Sequence, residues 1–241
     1  EDSDAEVRWY VAGNPNTDWN RYYADYVNTY LERDIHKLEN IGDTLAFLQF
    51  MTALASRTGE LLNMDSIARE IGVSAPTVKR WIAILQKSNI IYLLQPFSQN
   101  ASKRVVKTPK VYFTDTGLVC FLCKWLTPES LFNGAQAGNI YETFVVSEII
   151  KSYYNVGIEP NMYYFRNKEV QEIDLLFYQD GQLFPIEIKK TSSPNVKDIK
   201  HFKVLETCFP SLKIAAGGVI CSYDKLVPLD TKNKVIPLIF I

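Results

Sequence analysis

Residues 171–190, QEIDLLFYQDGQLFPIEIKK, contain two strand-like runs, 171–178 and 183–190, joined through Asp180-Gly181. Asp-Gly is the signature of a two-residue type I′ reversal, whose backbone twist matches that of the strands it connects. With that turn Ile173 faces Ile188 and Leu175 faces Ile186 on one apolar side, while on the other Asp174 faces Glu187 and Glu172 faces Lys189. The alternation in both runs agrees with the turn, so the register is self-consistent. Two carboxylates directly across a strand pair have Cβ atoms roughly 4.5–5.5 Å apart and repel. A divalent cation with oxygen ligands relieves that repulsion, and Mg²⁺ needs only one or two carboxylates plus waters and substrate phosphate. Lys189, on the same face as Glu187, can polarise an attacking water or stabilise charge developing on phosphorus. An amphipathic hairpin with a merely solvated polar face has the same pattern, and the residues alone leave both readings open.

The flanks suit an α/β unit. Residues 140–153 read as a helix with Phe144, Val145, Ile149 and Ile150 on its packed side, which places Glu142 on or beside the apolar stripe. A buried unpaired charge is costly, so Glu142 needs a partner or a cation unless it reaches water at the stripe's edge. Beyond the hairpin, 196–207 reads as a second helix and 213–222 and 234–241 as further strands.

The N-terminal half has a different rhythm. Helical spacing covers 43–57 (Leu45, Leu48, Met51, Leu54), 64–71 (Ile67, Ala68, Ile71) and 75–87, with Gly72 separating the last two. Ser74 is a natural N-cap for the third helix and Pro76 is tolerated in its first turn. Val78, Trp81, Ile82 and Leu85 fall on one face, leaving Thr77, Lys79 and Arg80 outward. A short helix, a tight turn and a second helix with a basic N-terminal half form the helix-turn-helix pattern. Strand-like residues 90–94 and 110–113 flank a polar, basic segment, 98–107, that reads as a wing. From Ser74 to Lys110 there are seven basic residues, among them Lys103, Arg104 and Lys107, and no acid, where an even spread would place about four. That depletion is an electrostatic footprint for phosphate, although such modules also dock proteins. Residues 1–33 read as a helical connector, 34–126 as the winged helix-turn-helix domain and 138–241 as the α/β domain, with a turn-rich boundary at 127–137.

The spacing of Glu142, Ile173-Asp174 and Glu187-Ile188-Lys189 resembles the restriction-endonuclease-like PD-(D/E)XK superfamily, with I-D in place of the usual P-D. The resemblance implies an αβββαβ core. It also implies catalytic roles for Glu142, Asp174, Glu187 and Lys189, with Mg²⁺ or Mn²⁺ held by Asp174 and Glu187 and aided by Glu142. More specifically, YLERDI (30–35), the helix-turn-helix, KVYFTDTGL (110–118), GNIYETFVVSEI (138–149), FRNKEVQEIDLL and IEIKK resemble the C-terminal region of bacterial and archaeal AAA+ ATPases that carry a C-terminal domain of unknown function. In that family a P-loop ATPase precedes this region, so ATP is expected only there. The chain has no G-x-x-x-x-G-K-[ST], and no ATPase activity is expected of it. The expected function is nucleic-acid binding with metal-dependent phosphodiester hydrolysis. The alternative is a non-catalytic DNA- or protein-binding module that regulates the ATPase. Expected nucleic-acid contacts are Thr77, Lys79, Arg80, Lys103, Arg104 and Lys107. Expected partners are DNA and the ATPase module, not a membrane, with self-association left open.

The start EDSDAEVRWY has neither an initiating Met nor an apolar signal segment, so the chain is expected to be a piece of something longer. Four cysteines in 241 residues make no disulfide framework, which favours a reducing, cytoplasmic compartment. Cys120 and Cys123 lie in an apolar run without the second close pair that a zinc ribbon needs, so they read as buried packing. Thiol or histidine catalysis fits poorly, because neither His36 nor His201 sits near a Cys or Ser motif.

Overall fold

The computed structural model describes residues 18–29, 43–99 and 108–241. The YLERDI stretch, His36 and the candidate contacts Lys103, Arg104 and Lys107 lie outside the described residues. The chain is mixed α+β: among the described residues, helices accompany a two-stranded sheet and a seven-stranded mixed sheet. It divides into two compact units. One comprises the chain up to Tyr92 with Val111–Phe144, the other Leu93–Lys110 with Val145–Ile241.

In the first unit α1 (Trp19–Thr29) is followed by α2 (Thr44–Ala55), α3 (Met64–Ile71) and α4 (Ala75–Lys87). Each of the last three starts on a side-chain cap that satisfies an otherwise orphaned N–H: Asp43 accepts from Ala46, Asn63 from Ser66 and Ser74 from Thr77. Gly72 ends α3 in the left-handed region, φ 73°, and its N–H reaches back to Ala68. This sharp stop lets α4 begin three residues later. Val78, Trp81, Ile82 and Leu85 are buried together on α4, with Trp81 packed on Phe47 and Phe50 at 5.3 Å between ring centroids. Strand β1 (Ile91–Leu94) pairs with β2 (Lys110–Phe113), and along these strands the chain leaves the first unit and returns.

Next, α5 (Thr116–Leu122) ends four residues short of Leu126, the last residue of the apolar run that begins at Leu118. Lys124 takes a left-handed φ of 62° and Trp125 N–H bonds back to the Cys120 carbonyl at 2.9 Å, which closes the helix. The start of α5 is fixed by Asp115, whose carboxylate accepts from Gly117 N–H at 2.8 Å and from the Tyr23 hydroxyl on α1 at 2.8 Å. The expected turn region 127–137 contains one short helix, α6 (Pro128–Phe132), opened by a Thr127–Ser130 capping box.

Burial sets the thiol chemistry here. Burial pushes the Cys120 thiol up to about 12, with Cys123 and Asp115 adding to the shift, and pushes half-buried Cys123 up to about 11. Only a thiolate attacks a disulfide reagent, so both stay protonated and inert until well above neutral pH. Exposed Cys208 is therefore expected to label first with a thiol reagent at pH 7.5, and Cys120 only on unfolding. Mass mapping of the labelled peptides checks the order.

Helix α7 (Ala137–Asn155) carries the chain from the first unit into the second at Phe144/Val145. Its middle is buried on most sides, with Val145, Val146, Ser147, Ile149 and Ile150 inside and Phe144 only half-buried, while residues 151–155 are exposed or half-buried. The second unit then lays down β3 (Met162–Arg166), β4 (Glu172–Gln179) and β5 (Gln182–Lys189), antiparallel neighbours in that order. After β6 (Lys213–Ile214) come β7 (Gly218–Cys221), β8 (Val227–Pro228) and β9 (Lys234–Pro237). β7 and β9 continue the sheet parallel to β5, β8 closes it antiparallel to β9, and β6 adds to β5. The β4–β5 reversal has φ 49° at Asp180 and 74° at Gly181, both positive as a type I′ turn requires. Pairs from Gln179↔Gln182 to Leu175↔Ile186 follow the register the turn dictates.

Three elements differ from the sequence reading. Residues 196–207 are not one helix but a 3₁₀ turn, Val196–Ile199, and a short α8 (Val204–Cys208). Ile199, Phe202 and Leu205 all enter the core, a three-residue spacing that suits i→i+3 bonds, and Phe202 N–H to Ile199 and Leu205 N–H to Phe202 are such bonds. The strand expected over 213–222 is split into β6 and β7. At Gly217 between them a Cβ would lie 2.1 Å from the Pro185 carbonyl oxygen, so the backbones approach too closely for any side chain. The last strand stops at Pro237, and Leu238–Phe240 form a 3₁₀ turn.

The segment after β1 belongs to the second unit. Tyr164 N–H donates to Gln95 and Phe97 N–H donates to Tyr164, so Gln95–Pro96–Phe97 lies along β3 in a parallel bridge. Phe97 is buried in the same core as Phe165, Ile173, Leu176, Leu183, Val219 and Val235. The return of the segment is fastened too, since the Tyr164 hydroxyl donates to the Thr108 carbonyl at 2.5 Å.

Candidate functional site

Sheet geometry turns Asp174 out of its ladder. On β3, Tyr163 pairs with Leu176 and Phe165 with Ile173, so two steps on β3 match three on β4. One extra residue is therefore accommodated at Asp174-Leu175, a bulge of the kind that re-aims a side chain. Ile173 and Leu176 consequently reach the same core, and Asp174 Oδ2 accepts the N–H of Ile188 at 2.8 Å. On β5, Glu187 and Lys189 share a face two residues apart, beside Val219 and Cys221 of parallel β7. Lys189 Nζ donates to Glu187 Oε1 at 2.6 Å and lies 3.8 Å from Asp174 Oδ2. Asp174, Glu187 and Lys189 thus converge, both acids only 7% exposed and the lysine side chain 39% exposed.

The other candidates are placed differently. Glu142 is a residue of the first unit, half-buried on α7, and accepts the Tyr112 hydroxyl at 2.5 Å. The need for a partner beside the apolar stripe is thus met by a phenol. Glu172 does not meet Lys189 as the hairpin register implied. It accepts Lys110 Nζ at 2.6 Å and lies 3.2 Å from Arg166. Lys110, counted in the basic run as surface charge, is therefore a buried cation of the second unit. On α4, Lys79 and Arg80 are exposed, while half-buried Thr77 shares a 2.8 Å hydrogen bond with the Ser74 hydroxyl at the helix cap.

Two carboxylates on adjacent strands offer hard oxygen donors, the ligand type that Mg²⁺ and Mn²⁺ prefer to imidazole or thiolate. Asp174 and Glu187 are the two residues here that could hold such an ion. Asp174 is held in place by the Ile188 N–H, and Glu187 by its strand. Sequence reasoning missed the bulge and the Lys110–Glu172 pair. The one signal for the bulge was the doubled apolar Leu175-Leu176, which breaks the two-residue alternation.

Among the described residues no helix is long and apolar enough to cross a membrane. Residues 137–241 match a family described as Domain of unknown function (DUF4143). Uncharacterized proteins of Mycobacterium bovis and Mycobacterium tuberculosis are each 26% identical over 243 residues, an alignment that covers 98% of this chain. The chain spans about half the length, 53%, of these curated relatives. Residues 9–129, half of the chain, match the family described as Domain of unknown function (DUF8612), and the chain belongs to that family.

Proposed function

We propose that the second unit is a PD-(D/E)XK nuclease-like domain that hydrolyses phosphodiester bonds of nucleic acid with Mg²⁺ or Mn²⁺. The observation that carries this reading is the approach of Lys189 to both Asp174 and Glu187. A helix, three antiparallel strands, a helical connection and a further strand support the αβββαβ assignment. In the first unit, α2, α3 and α4 with the β1–β2 pair support a winged helix-turn-helix, which would bring Lys79 and Arg80 to the phosphate backbone. The motif order supports a C-terminal position in a AAA+ ATPase, which the greater length of the relatives leaves room for, with ATP bound elsewhere and a cytoplasmic setting.

In this reading Asp174 and Glu187 would hold the ion, which would supply positive charge beside the scissile phosphate and make water there more acidic. Lys189 would supply an ammonium at the rim of the site, where it orients the attacking water or stabilises the negative charge that grows on phosphorus. The Ile188 N–H keeps Asp174 from turning away. The chain is expected to cut plasmid, linear or single-stranded DNA in Mg²⁺ or Mn²⁺, and Glu187→Ala and Lys189→Ala to lose at least about 100-fold in rate. Cleavage that is absent throughout, or equal in wild type and both variants, sinks the enzymatic reading.

A second reading has one observation of its own. Glu142, the third expected carboxylate, accepts the Tyr112 hydroxyl, which suits a unit that binds nucleic acid or a protein partner without cutting. Salt-dependent DNA binding without cleavage would favour it.

A further inference from the structure

We propose that Lys189 is the resident counter-ion of the Asp174–Glu187 pair, and that a divalent cation enters this site only by displacing its ammonium. The inference rests on reading the site as a metal-binding nuclease centre and concerns how that centre is regulated. A charge-assisted hydrogen bond from Nζ to Glu187 Oε1 at 2.6 Å places a positive charge against an oxygen that a cation would take. Asp174 Oδ2 is committed as well, to the Ile188 N–H at 2.8 Å and to Nζ at 3.8 Å. Both acids are only 7% exposed, so water screens their mutual repulsion poorly and the ammonium offsets it in place. A dication does the same more strongly, and an ammonium against the same oxygens would be repelled by it.

The three side chains differ in freedom. Asp174 is pinned by the backbone of the next strand, and Glu187 lies inside the sheet beside Val219. Lys189 closes its strand, is 39% exposed and has a flexible four-carbon stem, so it can swing into solvent while the sheet stays intact. The moving part is therefore the lysine. Once displaced, an ammonium at the rim of the site gains a new partner when an anionic phosphodiester arrives. Metal and nucleic acid then favour each other's binding, and the site holds metal weakly until substrate is present.

The test is Mn²⁺ binding by the 241-residue chain alone, read from the free-ion electron paramagnetic resonance signal. Wild type is compared with Lys189→Met, Lys189→Gln and Glu187→Gln. Both lysine variants are expected to bind Mn²⁺ on the order of tenfold more tightly than wild type, and Glu187→Gln on the order of tenfold more weakly. Lys189→Gln retains a hydrogen-bond donor toward Glu187, so it serves if Lys189→Met fails to fold, which circular dichroism would report. Wild-type binding that the lysine variants merely equal or weaken overturns the counter-ion role and leaves the metal site standing. No saturable Mn²⁺ binding in any of the four proteins overturns both.

Discussion

Truncating Phe97 to Ala is expected to destabilise the second unit by about 3–5 kcal/mol, the cost of a large cavity in a packed core. By position in the sequence this residue opens a polar, basic segment, where a substitution would ordinarily cost well under 1 kcal/mol. Its surroundings say otherwise. The ring packs edge-on against Phe209 at 5.0 Å and Tyr163 at 5.4 Å and is tilted over Tyr178 at 5.6 Å, while its N–H bonds to Tyr164. Urea unfolding measures the shift, with Gln99→Ala as the control. Among the described residues Gln99 makes an exposed hydrogen bond to Ser211, so its loss is expected to stay within about 0.5 kcal/mol. A Phe97→Ala shift as small as the control's would mean that Gln95–Pro96–Phe97 is not part of the core.

Glu172→Ala is expected to cost about 3–5 kcal/mol, and Lys110→Met about 1 kcal/mol or less, although the two changes break the same ion pair. The asymmetry follows from burial. The Lys110 side chain is 4% exposed, and its Nζ sits 2.6 Å from the Glu172 carboxylate. Removing that carboxylate leaves an ammonium in a low-dielectric setting without its nearest counter-charge. Glu172 is 26% exposed and keeps Arg166 at 3.2 Å when Lys110 is gone. The double variant is expected to be more stable than Glu172→Ala alone, because the stranded cation leaves with its partner. Equal losses from the two single changes would show that the pair is solvated rather than buried.

Local chemistry made much of the fold legible. Asn63, Gly72 and Ser74 each settle a helix end by local chemistry, which fixes both ends of α3 and the start of α4. Asp180-Gly181 does the same for the hairpin register. What escaped were features whose cause lies far along the chain. Nothing near Lys110 announces Glu172, and nothing near Glu142 announces Tyr112, thirty residues before it. Asp174 and Glu187 were expected to meet as a directly opposed pair on a regular ladder. They converge through a bulge that takes Asp174 off the ladder and hands it the Ile188 N–H. Spacing at 199, 202 and 205 was compatible with either an α-helix or a tighter 3₁₀ winding, and only packing against the sheet selects between them.

The second unit is assembled from two separate stretches of chain, Leu93–Lys110 and Val145–Ile241. A recombination event with one breakpoint between residues 129 and 137 would therefore deliver an incomplete sheet-bearing unit to its new host, missing an aromatic from its centre and a cation from its edge. Successful inheritance needs the intervening helices to travel with it. Exchange of the region is therefore expected to leave the unit whole only when the stretch from Leu93 to Ile241 moves as one block.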